Sequence, residues 1–71
     1  MADYYVNRKA QPNGDHEVHD KAACPPQFFP SPENALYLGN YSTCAQAVQA
    51  ARTYFSQVNG CYYCSGACHT Q

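Results

Sequence analysis

Large aliphatic side chains are scarce in this sequence. The hydrophobic fraction of 45% comes largely from Ala, Cys and Tyr, and the mean hydropathy is -0.58. The larger aliphatic residues are Val6, Val18, Leu36, Leu38, Val48 and Val58. A chain of 71 residues has room for one domain, and at this size a hydrophobic core supplies only about 3–5 kcal/mol. We therefore expect a single small domain, residues 1–71, that needs another source of stability.

The sequence also lacks an excess of positive charge and any long apolar run. Four Lys and Arg against five Asp and Glu give a net charge of -1, whereas phosphate backbones and anionic membranes attract clustered basic residues. No stretch is long enough to span a bilayer, and the N-terminus, Met1–Arg8, lacks the basic and apolar segments of a signal peptide. We therefore expect a cytoplasmic protein with no nucleic acid or membrane partner.

Recognisable catalytic constellations are missing as well. The sequence shows no paired carboxylates, no phosphate-binding glycine loop and no nucleophile with its base. His16-Glu17-Val18-His19 resembles part of a zinc-protease motif, but that motif needs two His four residues apart on a helix. Here the two His are three residues apart on a predicted strand. The sequence therefore favours a non-enzymatic protein.

A β-hairpin is predicted in the N-terminal third of the chain. Tyr4–Asn7 is rich in strand-forming residues, an Asn-Gly pair typical of hairpin turns follows, and Asp15–Asp20 supplies the returning strand. Strand alternation places Val18 toward the core, and it places Glu17 and His19 away from the core.

The middle of the chain combines a proline-rich loop with a third strand. Cys24–Pro32 holds four of the five Pro, which exclude a helix or a central strand there. We expect Phe28 and Phe29 to fold over the core as a lid, the alternative being an exposed contact surface. Ala35–Gly39 is then predicted to form a third short strand.

The clearest helix signal begins at Thr43. Thr43 and Gln46, three residues later, form a capping box. Apolar residues then recur at three- and four-residue spacing, at Cys44, Ala47, Val48, Ala51, Phe55 and Val58. This pattern predicts a helix that runs to Val58 and is ended by Asn59-Gly60, with Cys44 as a buried core thiol. The predicted fold class is α+β, a small three-stranded antiparallel sheet (a β-hairpin plus one strand) packed against one helix, with a C-terminal Cys/His knuckle.

Cysteine and histidine are abundant for so short a chain, with five Cys and three His. Clustered thiols in a cytoplasmic protein are typical of metal sites, and an odd number of Cys fits poorly with a complete disulfide framework. Cys61-x-x-Cys64 supplies two thiolates from one turn, as a tetrahedral zinc ion requires. Cys68 and His69 follow closely, but adjacent side chains point in different directions, so a donor from elsewhere is expected. Cys24 is favoured, because it would join the hairpin to the knuckle and close a long loop.

These residues have three interpretations. In the favoured one, a structural zinc ion stabilises the domain. The second is a thiol redox or soft-metal handling protein, for copper or zinc, that uses the Cys-x-x-Cys pair. A redox pair of this type needs its first thiol at a helix N-terminus, whereas Cys61 is predicted to follow a helix C-terminus. Inert or disulfide-linked cysteines are the third. The favoured zinc ligands are Cys24, Cys61, Cys64, Cys68 and His69, with His16 and His19 as weaker candidates.

Several motifs resemble a family of small bacterial proteins without an established activity. They are Asn13–His19, Cys24, Tyr37-Leu38-Gly39, Asn59–Cys64 and Cys68-His69-Thr70. The resemblance covers nearly the whole chain, and it implies the same Cys and His layout and a bacterial cytoplasmic origin. The segment that begins with the third strand also resembles short ββα domains that pair into dimers.

The sequence as a whole predicts a zinc-stabilised module that binds another protein or forms a homodimer. The predicted contact residues are large aromatic side chains in the proline-rich loop and in the knuckle. They are Phe28, Phe29, Tyr62 and Tyr63.

Overall fold

The computed structural model describes residues 1–70. This part of the chain forms four strands and one α-helix. In chain order, they are β1 (Ala2–Asn7), β2 (His16–Asp20), β3 (Ala35–Tyr41), α1 (Cys44–Ala51) and β4 (Val58–Gly60). Three 3₁₀ turns lie at Pro26–Phe28, Pro32–Asn34 and Gly66–Cys68. No helix within residues 1–70 is long and apolar enough to cross a membrane.

The four strands form one mixed sheet in the order β3-β1-β2-β4. β1 pairs antiparallel with both β2 and β3, whereas β4 pairs parallel with β2. The structure agrees with the predicted α+β class and with the predicted β1–β2 hairpin. The prediction of three antiparallel strands is wrong in one respect, because Val58–Gly60 adds a fourth, parallel strand at the edge of the sheet.

α1 begins as predicted but ends earlier. The Thr43 hydroxyl accepts a hydrogen bond from the Gln46 N–H, and the Gln46 side chain accepts one from the Thr43 N–H, so the capping box is confirmed. The helix ends at Ala51, not at Val58. Thr, Tyr and Phe follow at 53–55, and β-branched and aromatic side chains lose rotamer freedom in a helix. The chain turns there and returns to the sheet as β4.

The hydrophobic core lies between the sheet and α1. Its buried side chains are Tyr4, Val6, Val18, Ala47, Val48 and Ala51. Phe55 and Val58 pack against the same core from the turn and from β4. Phe55 also stacks on His16, with ring centroids 3.8 Å apart. The sequence pattern therefore correctly predicts that Phe55 and Val58 pack against the core, although the backbone beyond Ala51 is not helical.

A disulfide ties the start of α1 to the C-terminal segment. It joins Cys44 to Cys68, whose Cα atoms are 6.2 Å apart and which are separated by 24 residues. Cys44, predicted as a buried thiol, and Cys68, predicted as a candidate zinc ligand, are both disulfide-bonded instead. Gly60 allows the C-terminal segment to lie this close, because a Cβ atom there would be 2.7 Å from the Ser65 carbonyl oxygen and 2.8 Å from Cys68 Cβ.

Candidate metal centre

Two loops cover the face of the sheet that α1 leaves open. Glu17 and His19 point to this face, as strand alternation predicts, but His19 is 0% exposed. Phe29 from the proline-rich loop lies over it, with ring centroids 5.8 Å apart. Phe28 is 39% exposed and stacks on Tyr63 of the second loop. The prediction that both rings cover the hydrophobic core is therefore wrong, because Phe29 covers His19 on the opposite face of the sheet and Phe28 lies at the surface.

β4 carries Cys61 to the same covered face. β4 pairs parallel with β2, and the Cys61 N–H continues this ladder by donating to the Val18 carbonyl at 2.9 Å. Cys61 therefore lies beside His19, the next residue of β2. The Ser65 N–H donates to the Cys61 carbonyl at 2.8 Å. This bond closes a tight turn that brings Cys64 back to the cluster.

Cys24 reaches the site from the end of β2, through a turn that Asp20 organises. The Asp20 carboxylate accepts hydrogen bonds from the N–H groups of Ala22 and Ala23 at 3.0 and 3.3 Å, as aspartate commonly does in turns. The Asp20 carbonyl accepts one from the Cys24 N–H at 2.9 Å. The reversal places Cys24 Sγ 3.5 Å from Nδ1 of His19.

Four donor atoms converge here, and they belong to His19, Cys24, Cys61 and Cys64. All four lie within 4.8 Å of one another, close enough to hold a metal ion. His19 Nδ1 lies 3.5 Å from Cys24 Sγ and 3.6 Å from Cys64 Sγ. In a tetrahedral zinc site with bonds of about 2.3 Å to sulfur and about 2.0–2.1 Å to nitrogen, the nitrogen-to-sulfur edge is about 3.6 Å. The two observed spacings agree with this edge.

Burial shifts the pKa of His19, Cys24 and Cys64. It lowers the pKa of His19 to about 4, so the imidazole is neutral near pH 7 and its lone pair is available to a metal. Burial is also the main cause that raises the pKa of Cys24 and the pKa of Cys64, and the neighbouring Cys61 raises both further. Three thiolates in this space repel one another, whereas a divalent metal ion would hold them deprotonated.

The outer ring nitrogen of His19 faces a carboxylate. His19 Nε2 lies 3.8 Å from Glu17 Oε1. Nε2 is buried and has no hydrogen-bond partner within residues 1–70. Partial burial is the main cause that raises the pKa of Glu17. The donor cluster therefore has an acidic neighbour behind the imidazole.

The cluster combines three favoured candidates with one weaker candidate. Cys24, Cys61 and Cys64 come together, so Cys24, which follows the hairpin, lies beside the C-terminal segment. His19, a weaker candidate, supplies the fourth donor. The sequence correctly indicates which face His19 occupies, but it does not reveal that two loops bury that face.

The remaining candidates lie outside the cluster. The sulfur of Cys68 is in the disulfide. His69 Nδ1 is hydrogen-bonded to the Gly60 carbonyl at 3.0 Å, and His16 Nδ1 is hydrogen-bonded to the Asn7 carbonyl at 2.9 Å. These three side chains hold the C-terminal segment and the hairpin in place.

Comparison with known proteins gave no match, since no family model, no curated protein and no solved structure matches the chain. The resemblance to a family of small bacterial proteins therefore stays a prediction.

Proposed function

We propose that this chain is a non-enzymatic protein whose fold is stabilised by one zinc ion bound to His19, Cys24, Cys61 and Cys64. The observation that carries the proposal is the convergence of four donors within 4.8 Å of one another. Two of their spacings, from His19 Nδ1 to Cys24 Sγ and to Cys64 Sγ, match the edge of a zinc tetrahedron. Thiolate and imidazole donors favour zinc over magnesium or calcium, which prefer oxygen. Four protein ligands also leave no open position for a substrate, as in structural zinc sites.

The small core supports a structural role for the ion. The largest fully buried side chains are His19, Val6, Val18 and Cys61, so two of these four belong to the candidate centre. Structural zinc contributes about 10–16 kcal/mol of apparent binding free energy near pH 7. This exceeds the net stability of about 3–5 kcal/mol expected from a core of this size.

Cys61 follows strand β4 and not, as predicted, the C-terminus of a helix. A helix dipole therefore has no bearing on its thiol. The redox alternative has to be judged instead from the exposure and the pKa values of the thiols. Reactive thiols are accessible and have lowered pKa values, whereas Cys61 is 1% exposed and burial raises the pKa of Cys24 and Cys64. The same enclosure disfavours a soft-metal carrier, which must release its ion to another protein.

Native mass spectrometry of the full chain, produced with zinc in the growth medium, tests the proposal. We expect one zinc ion per chain, reduced Cys24, Cys61 and Cys64, and loss of the ion after treatment with a chelator. A metal-free chain with a disulfide between Cys61 and Cys64 would contradict the proposal and favour the redox alternative.

Ligand variants with a matched cysteine control identify the donors. We expect Cys24→Ser to lose stoichiometric zinc, because it removes one of the four donors. The double variant Cys44→Ser/Cys68→Ser removes the two cysteines outside the cluster and should keep one zinc ion per chain. If Cys24→Ser retains zinc as well as the double variant does, the proposed ligand set is wrong.

We further propose that the aromatic surface beside the centre, formed by Phe28, Tyr62 and Tyr63, binds a second copy of this chain. Tyr62 and Tyr63 are 65% and 56% exposed. Phe28 and Tyr63 stack with ring centroids 3.8 Å apart, which holds them in a fixed orientation. Exposed aromatic side chains are enriched in protein interfaces. Phe29, predicted as a contact residue, lies over His19 instead and is not part of this surface.

Sedimentation velocity tests this interface. We expect a dimer that Tyr63→Ser weakens, while Tyr54→Ser, at a side chain 59% exposed after α1, leaves the dimer unchanged. A wild-type chain that stays monomeric at every concentration would overturn the homodimer.

A further inference from the structure

His19 can bind a metal through Nδ1 only when its proton is on Nε2. Nδ1 is the nitrogen that faces the sulfur atoms, at 3.5 Å from Cys24 and 3.6 Å from Cys64. In the other tautomer, an Nδ1–H group would donate to a sulfur and block the metal. The position of one proton therefore determines whether the fourth donor is available.

The metal-binding tautomer needs an acceptor behind the imidazole. Its Nε2–H group is buried, and none of the described residues accepts a hydrogen bond from it. A buried N–H without a partner costs about 1–3 kcal/mol. Glu17 lies two residues before His19 on β2, so their side chains share one face of the strand. Its Oε1 is 3.8 Å from Nε2, and its side chain is 19% exposed.

We infer that Glu17 is a positioning residue that holds His19 in the tautomer able to bind metal, an inference that rests on the proposed zinc site. A carboxylate oxygen attracts an Nε2–H group, whereas it repels the lone pair of an unprotonated Nε2. Glu17 therefore favours the proton on Nε2 and leaves the lone pair of Nδ1 directed at the sulfur atoms. Oε1 would need to move about 0.6 Å closer to Nε2 than the observed 3.8 Å to reach the upper limit of an N–H···O hydrogen bond, about 3.2 Å.

The other polar neighbours of Glu17 leave this bond available. The other polar side chains that act on the Glu17 carboxyl are Gln11, Asp15 and His69. A carboxylate has about four lone-pair sites on its two oxygens, so a bond to His19 does not require another donor to leave. Metal-bound histidines commonly donate their second N–H to a carboxylate, which fixes the ring and raises its basicity as a ligand.

Zinc affinity, measured by competition with a chromophoric chelator, tests the inference. We expect Glu17→Ala to weaken zinc binding by roughly 10–100-fold. Glu17→Gln should weaken it less, because the amide oxygen still accepts a hydrogen bond and the side chain keeps its shape. The control is Glu33→Ala, which removes an exposed carboxylate in the Pro32–Asn34 turn and should leave the affinity unchanged.

The tautomer of His19 gives a readout that a purely structural role would not change. Long-range ¹H–¹⁵N NMR of the zinc-loaded protein should show the proton on Nε2. Its exchange with water should be slow in the wild type, intermediate in Glu17→Gln and fast in Glu17→Ala. Unchanged zinc affinity and unchanged Nε2–H exchange in Glu17→Ala would overturn the role of Glu17. A wild-type chain that binds no zinc would instead contradict the proposed function, so the two failures are distinguishable.

Discussion

Gly60 lies where β4 meets the C-terminal segment, and it has no room for a side chain. An alanine Cβ would lie 2.7 Å from the Ser65 carbonyl oxygen and 2.8 Å from the Cys68 carbonyl carbon. Because these are backbone atoms, they cannot move aside without shifting the turn that carries Cys64. We expect Gly60→Ala to lower the free energy of unfolding by about 1–3 kcal/mol, measured by urea denaturation of the zinc-loaded protein.

Gly66 provides the matched control for this substitution. A Cβ atom there would meet no heavy atom of the described chain within 4 Å. We expect Gly66→Ala to change the free energy of unfolding by less than about 0.5 kcal/mol. Equal effects of the two substitutions would show that the close approach at Gly60 does not limit stability.

The donors of the candidate centre differ in how well the sequence predicts them. Cys61 and Cys64 share one turn, so local spacing identifies this pair. Cys24 is predicted instead from its place just after the hairpin, where it could close a long loop. His19 is harder to predict, because strand alternation gives its face but not the loops that cover that face. Cys68 also lies close to Cys61 and Cys64 in the sequence, and local spacing therefore suggests a ligand. It forms a disulfide instead, because the fold brings it next to Cys44, which is distant in the sequence.

The parallel pairing of β2 and β4 has side-chain support outside the backbone ladder. The Asp15 carboxylate, just before β2, accepts hydrogen bonds from Gln57 at 2.8 Å and from Asn59 at 3.3 Å. These bonds, with the one from Gln57 as the largest cause, hold the pKa of Asp15 below its ordinary value. A lowered pKa in the folded state means that the ionised carboxylate stabilises the fold.

Substitution of Asp15 should therefore have a pH-dependent effect. We expect Asp15→Asn to lower the Tm near pH 7, because the Asn side chain is uncharged and its oxygen is a weaker hydrogen-bond acceptor than a carboxylate. The contribution of Asp15 is present above its unfolded pKa of about 3.9 and is lost as the pH falls through the lower folded value. The difference in Tm between wild type and variant, measured by calorimetry, should shrink in that range. Glu33→Gln is the control, and a difference that is independent of pH would contradict the role of the charge.

The elements of the fold are predictable where local signals determine them. The capping box at Thr43 and Gln46 sets the start of α1, and an Asn-Gly pair marks the hairpin. The end of α1 is not predictable in this way, because Phe55 and Val58 are buried at spacings that also suit a helix. β4 has only 3 residues, and it forms by pairing with β2, which lies some 40 positions earlier in the chain. No local signal in the sequence predicts this strand.

The C-terminal segment has one cross-link in the disulfide and a second, of different chemistry, in the proposed zinc centre. The disulfide fixes it to α1 on one face of the sheet, and the proposed zinc centre fixes it to β2 on the other. A disulfide that closes a loop of this length contributes roughly 3–4 kcal/mol through the unfolded chain. We therefore expect Cys44→Ala/Cys68→Ala to lower the free energy of unfolding by about that amount and to keep one zinc ion. Loss of zinc from the folded double variant would show that the disulfide holds the metal ligands in place.

The whole molecule combines one disulfide with three free thiols. The proposed zinc ion would explain why the three thiols do not form further disulfides. A zinc-bound thiolate has its lone pair engaged and is enclosed by the fold, so it attacks a disulfide slowly. With glutathione disulfide as the oxidant, we expect zinc-loaded protein to retain the Cys44–Cys68 pairing alone. After chelation, Cys24, Cys61 and Cys64 become available, and each new protein disulfide forms as two protein thiols are oxidised and glutathione disulfide is reduced to two glutathione molecules. Peptide mapping of the two samples measures the pairing, and the same disulfide pattern with and without zinc would show that the metal does not protect these thiols.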